Sequence, residues 1–400
     1  MPFVPLDELV RRAVPAAPGA GPLRCVVIAA VVYEGFGTPR QDAAVALFED
    51  EPGRLVVTDV GPRAEVVAAH PGAAVVDGGF ALSPAPVNAH THLDLSDMPY
   101  TPGTYEGFLR AVVAHARSGA RGEAAARRGL AELKASGVRV VGDIVTDEAV
   151  MGLLLDDPDL TGVAYWEVIG PDPAQAQERF LAAVEAVNRF RERERPGGVR
   201  VGISPHTPHT VSAPLLRMLA SWARRQRLPV AIHVAESPSE RELWLRGTGP
   251  LAEALAAWGF PFAPAGVSPV RYLRDLGVLE GGPTLVHMVA VDDEDVRLAQ
   301  AAGCAVVHCP RSNEALGCGR FPWETYARHG VDVAFGTDSR GSSPDLDVVA
   351  EARCAAELHG GKASPRAVVR AAVKGGYRAL GLVPPRVGAG APASAWGAWS

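Results

Sequence analysis

Cysteine is scarce in this chain of 400 residues, and its few cysteines do not suggest a disulfide framework. They lie far apart and include no C-x-x-C pair: Cys25, Cys304, Cys309, Cys318 and Cys354. An odd, scattered set of this kind favours a reducing compartment over disulfide bonding. We therefore expect a cytoplasmic protein whose cysteines are structural or incidental.

Long hydrophobic runs are also missing. The longest one, Cys25 to Tyr33, has nine residues, whereas a membrane helix needs about 18 or more. Acidic Asp7 and Glu8 precede this run, and Glu34-Gly35-Phe36 follows it where the small residues of a signal-peptide cleavage site would lie. We expect neither export nor membrane insertion.

An excess of positive charge is the third absence. The chain carries 39 lysines and arginines against 45 acidic side chains, for a net charge of -6. No basic block interrupts this mixture, so nothing in it favours nucleic acid or an anionic lipid surface. As partners we expect a small-molecule substrate, no nucleic acid and no membrane, and a homodimer is left open.

The order of apolar and polar segments predicts two kinds of structure. Up to about residue 78, short β-rich runs are separated by Gly, Pro and Asp, which indicates a small β unit. From residue 79 onward, short apolar strands alternate with longer helical stretches, as in parallel βα units. Two helices are predicted, one over Arg121 to Ser136 and one that begins after Ser212 as its N-cap.

Eight strands are predicted in the second part, which is the number that closes a (β/α)8 barrel. They are Phe80 to Val87, Val138 to Val145, Gly162 to Val168, Val199 to Ser204, Leu228 to Val234, Pro283 to Val286, Cys304 to Val307 and Val331 to Phe335. We therefore predict an α/β fold with a TIM barrel, in which catalytic groups lie at the carboxyl ends of the strands.

Histidines and one aspartate follow the ends of these strands. The residues are His90 and His92 after the first strand, His206 after the fourth, His233 after the fifth, His287 after the sixth, His308 after the seventh and Asp338 after the eighth. Side chains two apart on an extended segment point the same way, so His90 and His92 can reach one ion. With His233 and Asp338 they would form a set that suits zinc, and iron or manganese as well.

Such an ion would turn water into a hydroxide nucleophile near neutral pH. Hydrolysis of a C–N bond also requires a proton carrier, and Glu236, three residues beyond His233, is the candidate. Asp338 would accept a proton as well as bind the ion. His287 could donate a hydrogen bond to the attacking oxygen.

These motifs resemble those of the amidohydrolase superfamily. The segments are Asn88-Ala89-His90-Thr91-His92, His233-Val234-Ala235-Glu236, His287 and Gly336-Thr337-Asp338-Ser339. They are most similar to its cytosine deaminase-like and chlorohydrolase branch, which includes S-adenosylhomocysteine, adenosine-type and aminodeoxyfutalosine deaminases. The resemblance implies a barrel over residues 79–380 and a small, abbreviated β-sandwich domain from residues 1–78 and 381–400.

The resemblance also assigns roles to the site residues. It implies one divalent metal ion, in the first place Zn2+ and otherwise Fe2+ or Mn2+, bound by His90, His92, His233 and Asp338. Glu236, His287 and Asp338 would be catalytic, His206 would contact a purine-like base, and Ser342 would contact the substrate. His209 stands where an aromatic residue is more usual.

The absence of certain residues excludes two related kinds of metal centre. No lysine occurs between Lys134 and Lys362, so a carbamylated lysine cannot bridge two metals at the end of the fourth strand. The P-C-x-x-C ligand pair of the cytidine and tRNA deaminases is absent. A single-metal centre is therefore expected.

We interpret the chain as a metal-dependent hydrolase that deaminates an aromatic, purine- or adenosine-like small molecule and releases ammonia. Two alternatives stay open. The same hydroxide could displace chloride from an aromatic ring, as in a chlorohydrolase. The barrel could also be a non-catalytic scaffold, although a scaffold has no reason to keep a proton carrier beside a metal site.

Overall fold

The computed structural model describes residues 2–15, 21–260 and 262–400. Its strands are β1 (Phe3–Pro5), β2 (Arg24–Val32), β3 (Arg40–Glu51), β4 (Arg54–Pro62), β5 (Ala74–Asp77), β6 (Ala81–Pro84), β7 (Val87–Thr91), β8 (Val140–Val145), β9 (Thr161–Val168), β10 (Val199–Pro205), β11 (Ala231–Val234), β12 (Thr284–His287), β13 (Val306–His308), β14 (Val333–Phe335) and β15 (Trp396–Trp399).

The helices surround or connect these strands. They are α1 (Leu6–Ala13), α2 (Arg63–Ala69), α3 (Tyr105–Arg117), α4 (Glu123–Ala135), α5 (Glu148–Asp156), α6 (Ala176–Arg191), α7 (Ala213–Gln226), α8 (Pro238–Arg246), α9 (Pro250–Ala257), α10 (Pro269–Asp275), α11 (Asp293–Ala301), α12 (Pro310–Ala315), α13 (Trp323–His329), α14 (Val348–His359), α15 (Pro365–Arg370) and α16 (Gly376–Ala379). Within the described residues, no helix combines the length and the apolar character needed to cross a bilayer.

The chain divides into two compact units, Met1–Pro86 with Val383–Ser400, and Val87–Leu382. The first contains one seven-stranded sheet in the order β1-β15-β6-β2-β3-β4, with β5 also paired to β2. The C-terminal strand β15 therefore lies inside this sheet, between β1 and β6 and antiparallel to both. Buried Trp396 packs into the core of this unit, and the indole of Trp399 donates a hydrogen bond to Ser83 at 2.8 Å.

The second unit is a (β/α)8 barrel, which confirms the predicted fold class. Strands β7 to β10 form one parallel sheet and β11 to β14 form another. Two single parallel bridges join the sheets, Ile203 with Val230 and Thr91 with Asp338. The helices α4 and α7 lie where the sequence predicts them, and Ser212 precedes α7 without forming a side-chain cap.

The predicted first barrel strand, Phe80 to Val87, is wrong. This segment is split into β6, which belongs to the first unit, and β7, which begins the barrel. Pro84 and Pro86 lie at the break, and proline has no N–H to donate to a strand ladder. The strand that carries His90 is therefore Val87–Thr91.

The first and last barrel strands are held together tightly where the candidate ligands lie. The side chain of Asn88 donates to the hydroxyl of Thr337 at 2.8 Å and accepts from its backbone N–H at 3.1 Å. Gly336 allows this approach, because a Cβ there would lie 2.7 Å from the Cβ of His90. The two ends of the barrel sequence are thereby fixed in one register.

A buried carboxylate supports the segment that contains His90 and His92. Asp143 on β8 accepts hydrogen bonds from the Thr91 hydroxyl at 2.6 Å and the Leu93 backbone N–H at 2.9 Å, both on Oδ1. Among the described residues its Oδ2 has no partner. Burial raises the pKa of Asp143 to about 8, and nearby Asp94 contributes to the rise, against the lowering effect of the two hydrogen bonds.

We expect Asp143→Asn to change how stability depends on pH. The amide keeps the accepting oxygen and resembles the protonated acid. Because the folded-state pKa is raised above the unfolded value of about 3.9, wild-type stability is lost as pH rises toward about 8. The variant should gain roughly 3 to 4 kcal/mol over the wild type between pH 5 and pH 8. Urea unfolding at pH 5 and pH 8 measures the free energy of unfolding of both proteins. The same change in that free energy between the two pH values in both proteins would contradict the prediction.

Candidate active site

Three imidazoles and one carboxylate converge at the carboxyl ends of the barrel strands. The Nε2 atoms of His92 and His233 are 3.3 Å apart. The Nε2 atoms of His90 and His92 each lie 3.6 Å from Oδ1 of Asp338. All four side chains are buried. The strand ends β7, β11 and β14 thus bring together residues that are almost 250 positions apart in sequence.

These separations fit a shared cation. Two ligands that bind a tetrahedral zinc at about 2.0 to 2.1 Å are roughly 3.3 to 3.5 Å apart. Within the described part of the chain, the buried Nε2 of His90 has no hydrogen-bond partner. Burial and the neighbouring imidazoles hold the pKa of His92 and His233 well below the usual value, so their lone pairs are free to bind a metal.

The main chain orients His233, one of the candidate ligands, through its Nδ1 atom. Its Nδ1 lies 3.0 Å from the carbonyl oxygen of His206, which can only accept a hydrogen bond. The proton is therefore on Nδ1, and Nε2 is left as the lone pair that faces His92. An outer hydrogen bond of this kind is a regular feature of metal-binding histidines.

Asp338 is oriented by two serines. Ser312 and Ser342 donate to its Oδ2 at 2.7 and 3.0 Å, which leaves Oδ1 facing the histidines. Burial opposes ionisation, but the neighbouring imidazoles of His90, His92 and His287 hold the pKa of Asp338 well below its normal value. Ser342, predicted to contact the substrate, is fully buried behind Asp338 and lines none of the neighbouring cavity.

Glu236 is the buried acid of this group. Its Oε2 lies 3.5 Å from Nε2 of His287, and ligand atoms of Glu236, His287 and Asp338 lie within 4.8 Å of one another. Burial, followed by the charges of Asp338 and Glu240, raises the pKa of Glu236 well above its normal value. This shift favours the protonated form of Glu236.

His287 is neutral and strained. Burial lowers its pKa to about 3, so this imidazole is uncharged at neutral pH. Its backbone has a φ of 73°, and Asp338 has a φ of 59°, both in the left-handed region that non-glycine residues seldom occupy. Strain of this kind is found at functional sites, where the surrounding structure holds it in place.

A cavity of about 80 Å³ opens beside these groups. His206 lines it, with Nδ1 2.9 Å from the Thr210 hydroxyl and Nε2 4.0 Å from Oε1 of Glu167. One wall is apolar and comes largely from one face of α3; it consists of Leu95, Tyr105, Phe108, Leu109 and Val112. Arg121, held by Asp94 at 2.7 Å, and Glu167 provide the charged part of the lining.

A larger cavity, about 720 Å³, lies at the other end of the barrel. It is lined by the amino ends of strands β10 to β14, including Thr284 and Asp332. None of the converging histidines lines it. Because catalytic groups of this fold lie at the carboxyl ends of the strands, the smaller cavity is the candidate active site.

Two of the remaining histidines do not join the site. His308 follows β13, but its ring stacks on Phe321 at 4.1 Å, and its Nε2 lies 3.5 Å from that of His359. His209 points elsewhere, with Nδ1 3.8 Å from Oε1 of Glu240. Both are buried, as polar residues of the protein interior.

Sequence patterns did not identify the residues after β13 that support the groups of the candidate site. Ser312 bonds Asp338, and Nδ2 of Asn313 lies 3.1 Å from Nδ1 of His287. Cys318, interpreted as structural or incidental, has its Sγ 3.9 Å from Oε1 of Glu236. The one available signal was that these residues follow a strand end.

Comparisons with known proteins agree with this geometry. A family model described as the amidohydrolase family matches residues 81–394. The chain is 43% identical over 360 residues to an aminodeoxyfutalosine deaminase of Deinococcus radiodurans, covering 88% of this chain and 84% of that protein. It is 30% identical over 335 residues to a 5-methylthioadenosine/S-adenosylhomocysteine deaminase of Nitratidesulfovibrio vulgaris, covering 80% of this chain and 71% of the relative.

Solved structures share the fold. Helicobacter pylori aminofutalosine deaminase in complex with methylthio-coformycin has a TM-score of 0.74 at 19% identity, over 92% of this chain and 90% of its own. Zinc-bound atrazine chlorohydrolase TrzN of Arthrobacter aurescens has a TM-score of 0.68 at 20% identity, over 92% and 85%. At these identities the likeness concerns the fold alone.

We predict that two variants separate metal binding from proton transfer. His233→Ala removes a ligand, so the purified protein should lose its divalent ion. Glu236→Gln should keep it, because Glu236 lies outside the four-residue ligand set. Loss of a metal ligand should weaken the affinity for the ion by more than the 10- to 100-fold that is typical when a residue hydrogen-bonded to a ligand is changed.

Inductively coupled plasma mass spectrometry of both variants measures this difference. His329→Ala, a histidine on α13 that pairs with Asp293 away from the site, is the control. Equal metal content in the His233 and Glu236 variants would contradict the assignment.

Proposed function

The chain belongs to the amidohydrolase family, and from this premise we propose that it deaminates a purine-like small molecule hydrolytically, with release of ammonia. It is a metal-dependent hydrolase acting on C–N bonds. The observation that carries the proposal is that Oε2 of the buried Glu236 lies 3.5 Å from Nε2 of His287, and that both groups adjoin Asp338 in the candidate ion site. A scaffold would have no use for that pairing.

The residues His90, His92, His233 and Asp338 would hold one divalent ion, for which we propose zinc because three imidazoles and a carboxylate suit it. When bound, such an ion activates water for attack on an electron-poor carbon. Asp338 keeps its charge because of its imidazole neighbours, so its carboxylate can accept a proton beside the reacting carbon.

Glu236 supplies the acid for the reaction. Because its pKa is raised, it starts protonated and can donate to a ring nitrogen of the substrate as the amino-bearing carbon becomes tetrahedral. His287 is neutral, and its Nε2 lies on the Glu236 side, where it can donate a hydrogen bond to the attacking oxygen. The two groups thus stabilise the charge that develops on both sides of the ring carbon.

The cavity wall binds and orients the ring. His206 is neutral because burial lowers its pKa, and it lines the cavity at the end of β10. We propose that it contacts the purine-like base. The apolar side chains of α3 pack against the aromatic ring and exclude water from the reacting carbon.

The substrate we propose to test first is aminodeoxyfutalosine, because the relative with that activity in its name is 43% identical over most of both chains. 5-Methylthioadenosine, S-adenosylhomocysteine and adenosine complete the panel. A chlorinated triazine tests the chlorohydrolase alternative. Ammonia and chloride release are measured on zinc-loaded protein with each compound.

We expect ammonia from at least one adenosine-like compound and no chloride from the triazine. Glu236→Gln should lower kcat about 10²- to 10⁴-fold, because it removes the proton that general acid catalysis requires. Glu178→Gln, an exposed change on α6, is the matched control. Chloride release without ammonia would favour the chlorohydrolase, and full metal content with no turnover on the whole panel would favour a scaffold.

A further inference from the structure

The short helix α12 and the turn after it contact three groups of the site. Ser312 donates to Asp338, Asn313 reaches His287, and Cys318 reaches Glu236. Asn313 is 1% exposed, and its backbone carbonyl accepts from the Cys318 backbone N–H at 2.9 Å. A rigid local segment therefore places an amide and a thiol behind the proton-transfer pair.

The amide of Asn313 determines which nitrogen of His287 carries the proton. Nδ2 of Asn313 has two N–H groups and no lone pair to offer, and it lies 3.1 Å from Nδ1 of His287. Nδ1 must therefore accept. A ring nitrogen that accepts a hydrogen bond has no proton of its own, so the proton of this imidazole is on Nε2, the nitrogen that lies 3.5 Å from Oε2 of Glu236.

The backbone of Asn313 also holds Cys318, whose N–H donates to the Asn313 carbonyl at 2.9 Å. Burial raises the pKa of the Cys318 thiol, so the thiol keeps its proton. Its Sγ lies 3.9 Å from Oε1 of Glu236. The two carboxyl oxygens of Glu236 are thus each faced by a group that Asn313 holds, one by His287 and the other by Cys318.

We propose that Asn313 is a positioning residue, which fixes His287 in the tautomer with its proton on Nε2 and so directs that N–H toward Glu236 and the reacting oxygen. The opposite amide orientation would leave Oδ1 facing Nδ1 and would require the proton on Nδ1. Nε2 would then offer a lone pair where the reaction requires a donor. The proposal rests on the proposed function, which supplies the reaction in which His287 acts. The tautomer of His287 is a property of the chain itself and can be measured without that reaction.

The variant Asn313→Asp tests this role with almost no change of size. A carboxylate can only accept a hydrogen bond, so it should draw the His287 proton to Nδ1. On zinc-loaded protein, kcat should fall about 10- to 100-fold, the range for loss of a supporting hydrogen bond at a metal site. KM and bound zinc should stay within twofold of the wild type. Asn188→Asp, the same chemical change at an exposed position of α6, is the control and should leave kcat unchanged.

A second readout does not depend on turnover. In protein labelled with 15N-histidine, the ring nitrogens report which of them is protonated, and His287→Gln identifies the signals of that residue. We expect the proton of His287 on Nε2 in the wild type and on Nδ1 in Asn313→Asp. A wild-type proton on Nδ1, or an Asn313→Asp variant with unchanged kcat per bound zinc, would overturn the proposal.

The two proposals fail in different ways. If the wild type deaminates none of the panel, the proposed function fails, yet the tautomer measurement on the wild type still decides the role of Asn313. If Asn313→Asp does not fold, the wild-type spectrum alone decides it in the same manner. A loss of activity that follows zinc loss in proportion would indicate a structural role and would count against the proposal.

Discussion

The barrel depends on one constraint, which is that three buried imidazoles and one carboxylate approach a common point. The Nε2 atoms of His92 and His233 are 3.3 Å apart, a separation that suits two ligands of one cation. The hydrogen bonds between Asn88 and Thr337 and the small size of Gly336 serve this end, because they bring the first and last strands close enough for one ion to be shared.

Burial has opposite consequences for the two kinds of side chain in the site, and the chemistry uses both. It lowers the pKa of the histidines, which keeps them neutral and able to bind metal or to donate from a single nitrogen. It raises the pKa of Glu236, which favours the protonated form of that acid. The surrounding histidines have the opposite effect on Asp338 and favour its ionised form. In the proposed mechanism, these two carboxyl groups take the separate roles of acid and base.

The sequence was informative where function depends on residues at strand ends. The order of the H-x-H pair, His233, Glu236, His287 and Asp338 follows from the barrel, since each parallel strand delivers its last residue to the same rim. The break between β6 and β7 was missed because an apolar run does not show which sheet it joins; Pro84 and Pro86 were the signal.

The supporting residues could not be predicted in the same way. Ser312 and Asn313 lie on a helix of six residues, too short to have a periodic pattern, and Cys318 follows in a turn. Their roles depend on where that turn brings them, which is a property of packing. Ser342 illustrates the same point. Its position in the sequence, shortly after Asp338, fits a contact with the substrate and a contact with Asp338 equally well. Only the fold shows that its hydroxyl donates to Asp338.

The division between strands and loops also accounts for how one metal centre can serve different substrates. The groups that we propose to bind the ion and to move protons come from strand ends, and residues of the segment after β13 support them. The cavity wall comes from elsewhere: α3 supplies Tyr105, Phe108 and Val112, and β9 supplies Glu167. Changes in α3 would alter which ring is held without moving the ion ligands, because no ligand lies on that helix. Under the proposed function, the cavity wall would therefore select the substrate, and the groups at the strand ends would determine the reaction.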